Sequence, residues 1–195
     1  MLLVKKLLAI IVLSLLWIWN AHADDVKDFQ IEGISIGESL LKYYSETDIK
    51  KSPKAKQYKD KEYVTAFFNV NSELYDAISV SFKRRDKQYI IEGVGGQKNY
   101  NKIDECYEKQ NEIFNELKIL FKNTEKSENN LKKRQGYTDS TSNQSYMKFK
   151  DGSFAGIQCF KYGKKDKKKY NHSDKMRISL FTQEYNYWLV NIAFK

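Results

Sequence analysis

The stretch NKIDECYEKQNEIFNELKILF, Asn101 to Phe121, decides the fold. Its apolar residues recur at steps of three and four, from Ile103 through Cys106 and Phe114 to Phe121, which is the period of an amphipathic α-helix. Glutamates and lysines occupy the opposite side. Because one apolar helix face needs a second layer to cover it, the stretch predicts a long helix packed on a sheet, with a cysteine on the buried side.

Strand patterns on both sides of this helix supply that layer. Before the helix, Val64 to Val70 is rich in β-branched and aromatic residues, and residues 77–83 alternate between apolar and small side chains. Tyr89 to Val94 has the pattern of the returning partner strand of a hairpin. After the helix, residues 146–150 and 153–162 flank an Asp-Gly turn.

The chain ends in two further apolar runs, MRISLFT at 176–182 and YWLVNIAF at 187–194, which predict a closing hairpin with Trp188 on one face of the last strand. Near the start, Ser35 to Glu38 and Ser45 to Asp48 have the form of helix caps. The fold class predicted is therefore α+β: an antiparallel sheet of about six or seven strands, one long amphipathic helix on a face, and a short N-terminal helical hairpin.

Three polar segments are predicted to be irregular. NTEKSENNLKKRQGYTDSTSNQS (123–145) and GKKDKKKYNHSDK (163–175) show no periodicity and are typical of loops. GVGGQKNY (93–100) is rich in glycine, but it has neither the spacing of a dinucleotide fingerprint nor the Lys-Ser/Thr of a P-loop. We interpret it as a turn between strand and helix.

The N-terminus predicts export. Lys5 and Lys6 precede an apolar run over residues 7–19, and small residues follow at Ala21 and Ala23. This order predicts a signal peptide at residues 1–23, cleaved after Ala23, and a single domain at residues 24–195 in the periplasm or outside the cell. An uncleaved membrane anchor is the rival, but the run is shorter than the roughly 20 residues of a membrane span.

Charge gives a second indication. The formal net charge is +9, of which the two leader lysines contribute two. A basic exported protein can contact an anionic membrane or cell-wall surface, whereas export makes nucleic acid a poor partner. The candidate contact is a lysine cluster, and a merely solvated loop is the alternative; the cluster consists of Lys164, Lys165, Lys167, Lys168 and Lys169.

The chain has two cysteines, Cys106 and Cys159. A small even number in an exported chain favours a disulfide, and a helix laid on the strand face that carries Cys159 brings the two sulfurs together. Two separate buried thiols are the alternative. A catalytic thiol lacks a base, since His172 is the only histidine after the leader, and zinc needs ligand pairs that are not present.

The acidic helix side, formed by Glu105, Glu108, Glu112 and Glu116, could hold calcium but has the spacing of a solvated face. We therefore predict no catalytic residue, no metal and no cofactor.

Three stretches together resemble a group of small exported proteins of AT-rich marine alphaproteobacteria: FQIEGISIGESLLKYYSETDIKK at residues 29–51, YNKIDECYEKQNEIFNELKILF at residues 100–121, and the ending FTQEYNYWLVNIAFK at residues 181–195. The I-E-G-x-S-I-G-x-S-L-L opening at residues 31–41 is the most specific part. The resemblance covers much of the chain after the leader. It implies an exported stand-alone domain and supplies no activity or site residue.

The start GISIGESLLKYY (33–44) is also similar to the helix-then-sheet modules of small outer-membrane assembly lipoproteins and β-lactamase-inhibitor-like domains. This chain departs from them because no lipid-anchor cysteine follows the leader.

The function predicted is that of an exported, non-enzymatic binding or interaction module for a protein or envelope ligand that the sequence does not identify. Two alternatives stay open. One is a hydrolase of envelope polymer that uses a pair of carboxylates. The other is a structural envelope component that contacts anionic surfaces. The sequence does not indicate an oligomeric state.

Overall fold

The computed structural model describes residues 25–134 and 136–195, and its seven strands form one antiparallel sheet in the order β1-β2-β3-β7-β6-β5-β4. The strands are β1 Tyr63–Asn69, β2 Ala77–Lys83, β3 Gly93–Tyr100, β4 Glu125–Lys133, β5 Thr141–Lys148, β6 Phe154–Lys161 and β7 Asp174–Phe181. The α-helices are α1 Glu46–Lys51, α2 Ile103–Leu120, α3 Lys164–Tyr170 and α4 Gln183–Asn191. The predicted α+β class is confirmed. The predicted signal peptide lies outside the described residues.

One face of the sheet, which we call the covered face, is apolar and hidden. Register pairs Val80, Val94, Leu180, Ala155 and Met147 side by side across five strands, and each is at most 2% exposed. Helix α2 lies across β3, β5, β6 and β7 on this face, as its apolar stripe predicts. The segment before β1 covers β1 and β2.

The disulfide prediction is confirmed. Cys106 of α2 and Cys159 of β6 form a disulfide with their Cα atoms 6.0 Å apart, and both residues are fully buried. One turn further along α2, the buried Gln110 donates from Nε2 to the carbonyl oxygen of Ile157 at 3.1 Å. A covalent bond and a hydrogen bond thus fix the same helix face to the same strand.

The N-terminal segment departs in part from the predicted helical hairpin. Ser45 caps α1, with its side chain accepting from the backbone of Asp48 at 3.1 Å, as predicted. The predicted cap at Ser35 is wrong, because Gly37 has a φ of +85° and turns the chain there. Ser39 instead caps a single 3-10 turn, Leu40–Lys42.

The glycine-rich stretch is strand β3, which lies between β2 and β7, and not a turn. A Cβ at Gly93 would lie 2.9 Å from the ring of Tyr185, and a Cβ at Gly96 would overlap the ring of Tyr75. The glycines therefore let aromatic rings lie against bare backbone. The predicted strand at Tyr89 to Val94 is wrong for most of its length, because Tyr89 has a φ of 51° and the strand starts only at Gly93.

The first polar segment, predicted as a loop, forms the edge strand β4 and the start of β5. Strand β4 is exposed along most of its length, so no alternation of apolar residues marks it. Its register shifts between Ser127 and Asn130, where Asn129 has a φ of 51° and donates its backbone N–H to Ser145 Oγ at 3.1 Å. Charged side chains and an irregular register are common features of edge strands, where they prevent pairing with a strand of another molecule.

The other two corrections are helices. The lysine cluster lies on α3, which buries Asp166 and exposes most of its lysines. The predicted last strand is α4, whose Thr182 cap accepts a hydrogen bond from the backbone of Tyr185. Tyr185 and Trp188, three residues apart, are the buried ones, whereas Val190 is 72% exposed.

Candidate ligand-binding face

The opposite face of the sheet, which we call the polar face, carries an unbroken line of polar side chains. Strand register places these residues next to one another across β3, β7, β6, β5 and β4; we call them the polar row, and they are Gln97, Arg177, Gln158, Gln144 and Asn130. All five are half-buried. In the part of the chain that the structure describes, the amides of Gln97, Gln158 and Gln144 make no hydrogen bond, while Asn130 donates to Ser127 Oγ at 2.6 Å.

Aromatic rings border the polar row on one side. Tyr146 stacks on Phe154 at 5.5 Å between ring centroids, Phe154 stacks on Phe181 at 5.7 Å, and Phe181 meets Tyr185 edge-on at 5.2 Å. We call these four residues the aromatic ladder. Such offset and edge-on contacts are favourable geometries for aromatic pairs. The ladder forms an apolar wall along the row.

On its other side the polar row borders Arg134, and Arg134 and the row member Arg177 both contact the ring of Phe160. The guanidinium carbon of Arg134 lies 4.4 Å from the centroid of Phe160, and that of Arg177 lies 5.2 Å from it. Arg134 also lies 4.2 Å from Tyr137 and 4.9 Å from Tyr162. Cation–π contacts at these distances hold the guanidinium groups in place. We call Arg134, Arg177 and Phe160 the arginine site.

The charge of the arginine site is not neutralised within the described residues. No carboxylate oxygen there lies within the 4.0 Å that defines an ion pair with either guanidinium. Arg134 Nη1 and Arg177 Nε are buried and have no hydrogen-bond partner. Since a buried donor without a partner costs about 1–3 kcal/mol, these N–H groups are poised to bind an acceptor.

The pKa values report the same crowding of positive charge. Burial lowers the pKa of Arg177, the hydroxyls of Tyr58 and Tyr162 act in the opposite direction, and Arg134 lowers it further. Burial lowers the pKa of Lys175, and both arginines add to that effect. Burial, followed by the charges of Lys175 and Arg134, also lowers the pKa of His172.

A buried carboxylate fixes the loop that carries Arg134 and Tyr137. Asp166 of α3 accepts from the backbone N–H groups of Thr138 and Asp139 at 3.0 and 3.1 Å, and from Ser140 Oγ at 2.6 Å. Desolvation by itself raises the pKa of Asp166, but these hydrogen bonds outweigh it and hold the pKa at about 2. The carboxylate of Asp166 is thus already satisfied within the loop.

The structure places the predicted lysine cluster beside the arginine site. Tyr170, at the end of α3, contacts the ring of Tyr137 with a centroid distance of 5.4 Å. Lys167 differs from the other lysines of the cluster, since its Nζ lies 2.9 Å from Oδ2 of the buried Asp174. Lys164, Lys165, Lys168 and Lys169 are exposed.

Sequence reasoning missed Arg134 and Arg177. The available signal was the sequence KMRISLF, in which an arginine occupies the middle of a strand whose other residues are mostly apolar. A charged residue at such a position is informative because arginine is almost never fully buried unless paired. Arg134 gave no comparable signal, since it lies in a segment with many other charges.

Other features of the surface are weaker candidates. A shallow groove of about 620 Å³ lies beside α4 and is lined by Lys148, Lys150, Tyr187 and Val190 among others. Within residues 25–134 and 136–195, no three His, Cys, Asp or Glu side chains gather closely enough to hold a metal ion. None of the helices in the described part of the chain combines the length and apolarity that a bilayer crossing requires.

No family model, curated protein or solved structure matches the chain.

Proposed function

We propose that this chain is an exported binding module without catalytic activity, and that its ligand is a polar envelope polymer lying along the polar row. The observation that carries the proposal is the row itself: unpaired amides and a guanidinium in register across neighbouring strands, next to a wall of aromatic rings. Polar groups at fixed spacing beside apolar rings are the usual composition of a ligand site.

The length of the row favours an extended ligand. Adjacent strands lie about 4.8 Å apart, so five strands present polar groups over roughly 19 Å. Glycans offer hydroxyl groups at repeated spacing along one edge, and the amides of Gln97, Gln158 and Gln144 each offer a donor and an acceptor to them. Three rings of the aromatic ladder, those of Tyr146, Phe154 and Phe181, are half-buried and offer apolar surface for the C–H faces of sugar rings, whereas Tyr185 is buried.

The chemistry of the row supports binding over catalysis. Amide side chains do not titrate, and arginine stays protonated in proteins, so neither group serves as a general acid or base near neutral pH. These groups orient a ligand and do not transfer protons to it.

The test uses the exported form, residues 24–195, and insoluble cell-wall peptidoglycan as the probe. We expect the protein to sediment with the polymer, and the double variant Gln144→Ala with Gln158→Ala to bind roughly tenfold more weakly because two sets of hydrogen bonds are lost. Gln57 and Gln88 are exposed and lie outside the strands that form the row, so their double alanine variant is the matched control and should bind normally.

Two results would overturn the proposal. One is the absence of binding by the folded wild-type domain to peptidoglycan and to other envelope glycans of the same cell. The other is equal loss of binding in the row variant and in the Gln57 and Gln88 control.

Export has its own test. Mass spectrometry of the periplasmic fraction should find an N-terminal peptide that begins at Asp24. A mature N-terminus at Met1 in the cytosolic fraction would contradict the export part of the proposal.

A further inference from the structure

The arginine site holds more positive charge than residues 25–134 and 136–195 neutralise. Arg134, Arg177 and Lys175 approach one another closely enough that each arginine lowers the pKa of Lys175. Two half-buried lysines elsewhere in the described chain show the usual compensation, since Lys167 pairs with Asp174 at 2.9 Å and Lys98 pairs with Asp76 at 3.2 Å. Concentrating like charges in a partly desolvated place is unfavourable unless an opposite charge compensates.

Two buried acidic residues near the site are already engaged. Asp166 accepts from Thr138, Asp139 and Ser140, and Asp174 accepts from the backbone N–H of Tyr162 at 2.8 Å and from Lys167. Both carboxylates stabilise the surrounding loops through these bonds. They are therefore poor candidates to turn toward the arginines.

The unpaired donors indicate which chemical group the site can bind. Arg134 Nη1 and Arg177 Nε are buried without a partner among the described residues, and both guanidinium groups are restrained against the Phe160 ring. A guanidinium presents its N–H groups as a planar fork, which matches the oxygens of a carboxylate or a phosphate. A ring-restrained fork loses little conformational freedom when it binds.

We infer that the arginine site binds an oxyanion, a carboxylate or a phosphate ester, carried by the ligand of the polar row. The inference rests on the proposed function for the ligand's position, because Arg177 belongs both to the row and to the arginine site. It adds that the polymer is acidic and that its charged group lies at the Phe160 end of the polar face.

The first experiment uses small probes and needs no polymer. Inorganic phosphate, glucuronate and neutral glucose are titrated into residues 24–195, and the Nε–Hε signals of the arginines are followed by NMR. We expect phosphate and glucuronate to shift the signals of Arg177 and Arg134 in a saturable way, and glucose to leave them unchanged. The comparison of phosphate with glucuronate shows which oxyanion fits better.

The variants separate charge from geometry. Arg134→Gln and Arg177→Gln should each weaken oxyanion binding at least about tenfold, because each removes charge-assisted hydrogen bonds. Arg177→Lys keeps the charge without the fork and should give an intermediate loss. Arg85→Gln removes the same charge from an exposed turn and should stay within about twofold of the wild type. Thermal unfolding of each variant verifies that it is folded.

The outcomes distinguish this inference from the proposed function. If acidic and neutral glycans bind equally well and Arg134→Gln binds both normally, the arginine site is not an oxyanion site, although the polar row still binds polymer. If phosphate or glucuronate binds at the arginines but no glycan binds the row, the arginine site is confirmed as an oxyanion site. The claim that the oxyanion belongs to a polymer bound along the row is then wrong. If Arg85→Gln weakens binding as much as Arg177→Gln, only general charge attraction is involved, and the inference is wrong.

Discussion

On the covered face, one row across the sheet consists of Val80, Val94, Leu180, Ala155 and Met147, all nearly inaccessible to solvent. Three residues away along four of these strands, β3, β7, β6 and β5, and continuing onto β4, the polar face presents the polar row, whose members are half-buried and mostly without hydrogen-bond partners in the described chain. The two rows share backbone and register but not chemistry. Burial of a large apolar side chain contributes about 1.5–3 kcal/mol, so the covered face is where stability is gained. The polar row gains little by folding, and its composition is better explained by a ligand.

Removing the disulfide should have the largest effect of any substitution proposed for either face, and it should act on stability alone. Cys106→Ala with Cys159→Ala opens a loop with a sequence separation of 53, and we expect a loss of about 4 kcal/mol by the loop-entropy estimate. The melting temperature should fall by roughly 8–16 °C for a domain of this size.

The same variant tests whether the covered face and the polar face act independently. Measured well below its melting temperature, it should bind phosphate within about twofold of the wild type, since the disulfide lies on the covered face. A change in stability below about 1 kcal/mol would contradict the role of the bond as a staple. Loss of phosphate binding in the folded variant would show that the two faces are coupled.

The glycines of β3 provide a comparison within a single strand, since Gly93 faces the ring of Tyr185 on the polar side and Gly96 faces Tyr75 on the covered side. Gly93→Ala should destabilise the protein by about 2 kcal/mol, because the new methyl group lies too close to the Tyr185 and Phe181 rings. Urea unfolding measures the loss.

The control is a double-mutant cycle in which Gly93→Ala is repeated in a Tyr185→Ala background. With the ring removed, the methyl group should cost clearly less, because its main obstacle is gone. An equal cost in both backgrounds would mean that the ring is not the reason for glycine at this position.

How much of this could be predicted from the sequence differs between the two faces. The stripe of α2 and the strand with Ile78 and Val80 follow from apolar periodicity, which records what the covered face buries. The Cys106–Cys159 bond follows from that stripe together with the even cysteine count of a chain predicted to be exported. Strand β4 is an edge with solvent on both sides, so its sequence has no period to detect. Strand β3 is rich in glycine because the rings of Tyr185 and Tyr75, which are distant in sequence, lie against its backbone at Gly93 and Gly96. The sequence around β3 does not reveal where those rings lie.

The candidate site was hidden for a related reason. Gln97, Gln158 and Gln144 come from strands that are distant in sequence, and only the sheet register brings them into line. The lysine cluster drew attention because its residues are adjacent in the chain. The closing segment was mistaken for a strand because Trp188, Val190 and Ile192 recur at every second position over too few residues to separate a period of two from a period of 3.6.

The loop that carries Tyr137, at one end of the polar face, is held by the carboxylate of Asp166, and substituting Asp166 tests how far the loop depends on this carboxylate. Its pKa of about 2 lies below the ordinary value of 3.8, so its contribution to stability is complete above about pH 4 and is lost as the pH falls toward 2. Asp166→Asn should lower the melting temperature at neutral pH and weaken phosphate binding several-fold, since Arg134 and Tyr137 lie on the loop that Asp166 fixes.

Melting temperatures are compared from pH 7 to pH 2. The difference between the wild type and Asp166→Asn should shrink below about pH 4 and be nearly absent at pH 2. Asp28→Asn, at an exposed position, is the control and should parallel the wild type throughout. A difference that is constant over the whole range would show that Asp166 acts through packing and not through its charge.

The smallest effects on stability are expected for the lysine cluster. Changing Lys164, Lys165, Lys168 and Lys169 to Gln should alter the free energy of unfolding by less than about 0.5 kcal/mol, as is usual for exposed positions. Lys167→Gln removes a partner of the buried Asp174 and should cost about 1 kcal/mol, because Asp174 keeps its hydrogen bond from Tyr162.

The fourfold variant also separates the two cationic surfaces at that end of the molecule. If the arginine site carries recognition, this variant should bind peptidoglycan with a modest loss that disappears at 0.5 M salt, because exposed charges act over distances that salt screens. Arg177→Gln should keep its defect at the same salt concentration, because its N–H groups contact the ligand directly. If the fourfold variant loses binding completely while Arg177→Gln retains it, α3 is the contact surface, and the polar face is not the site.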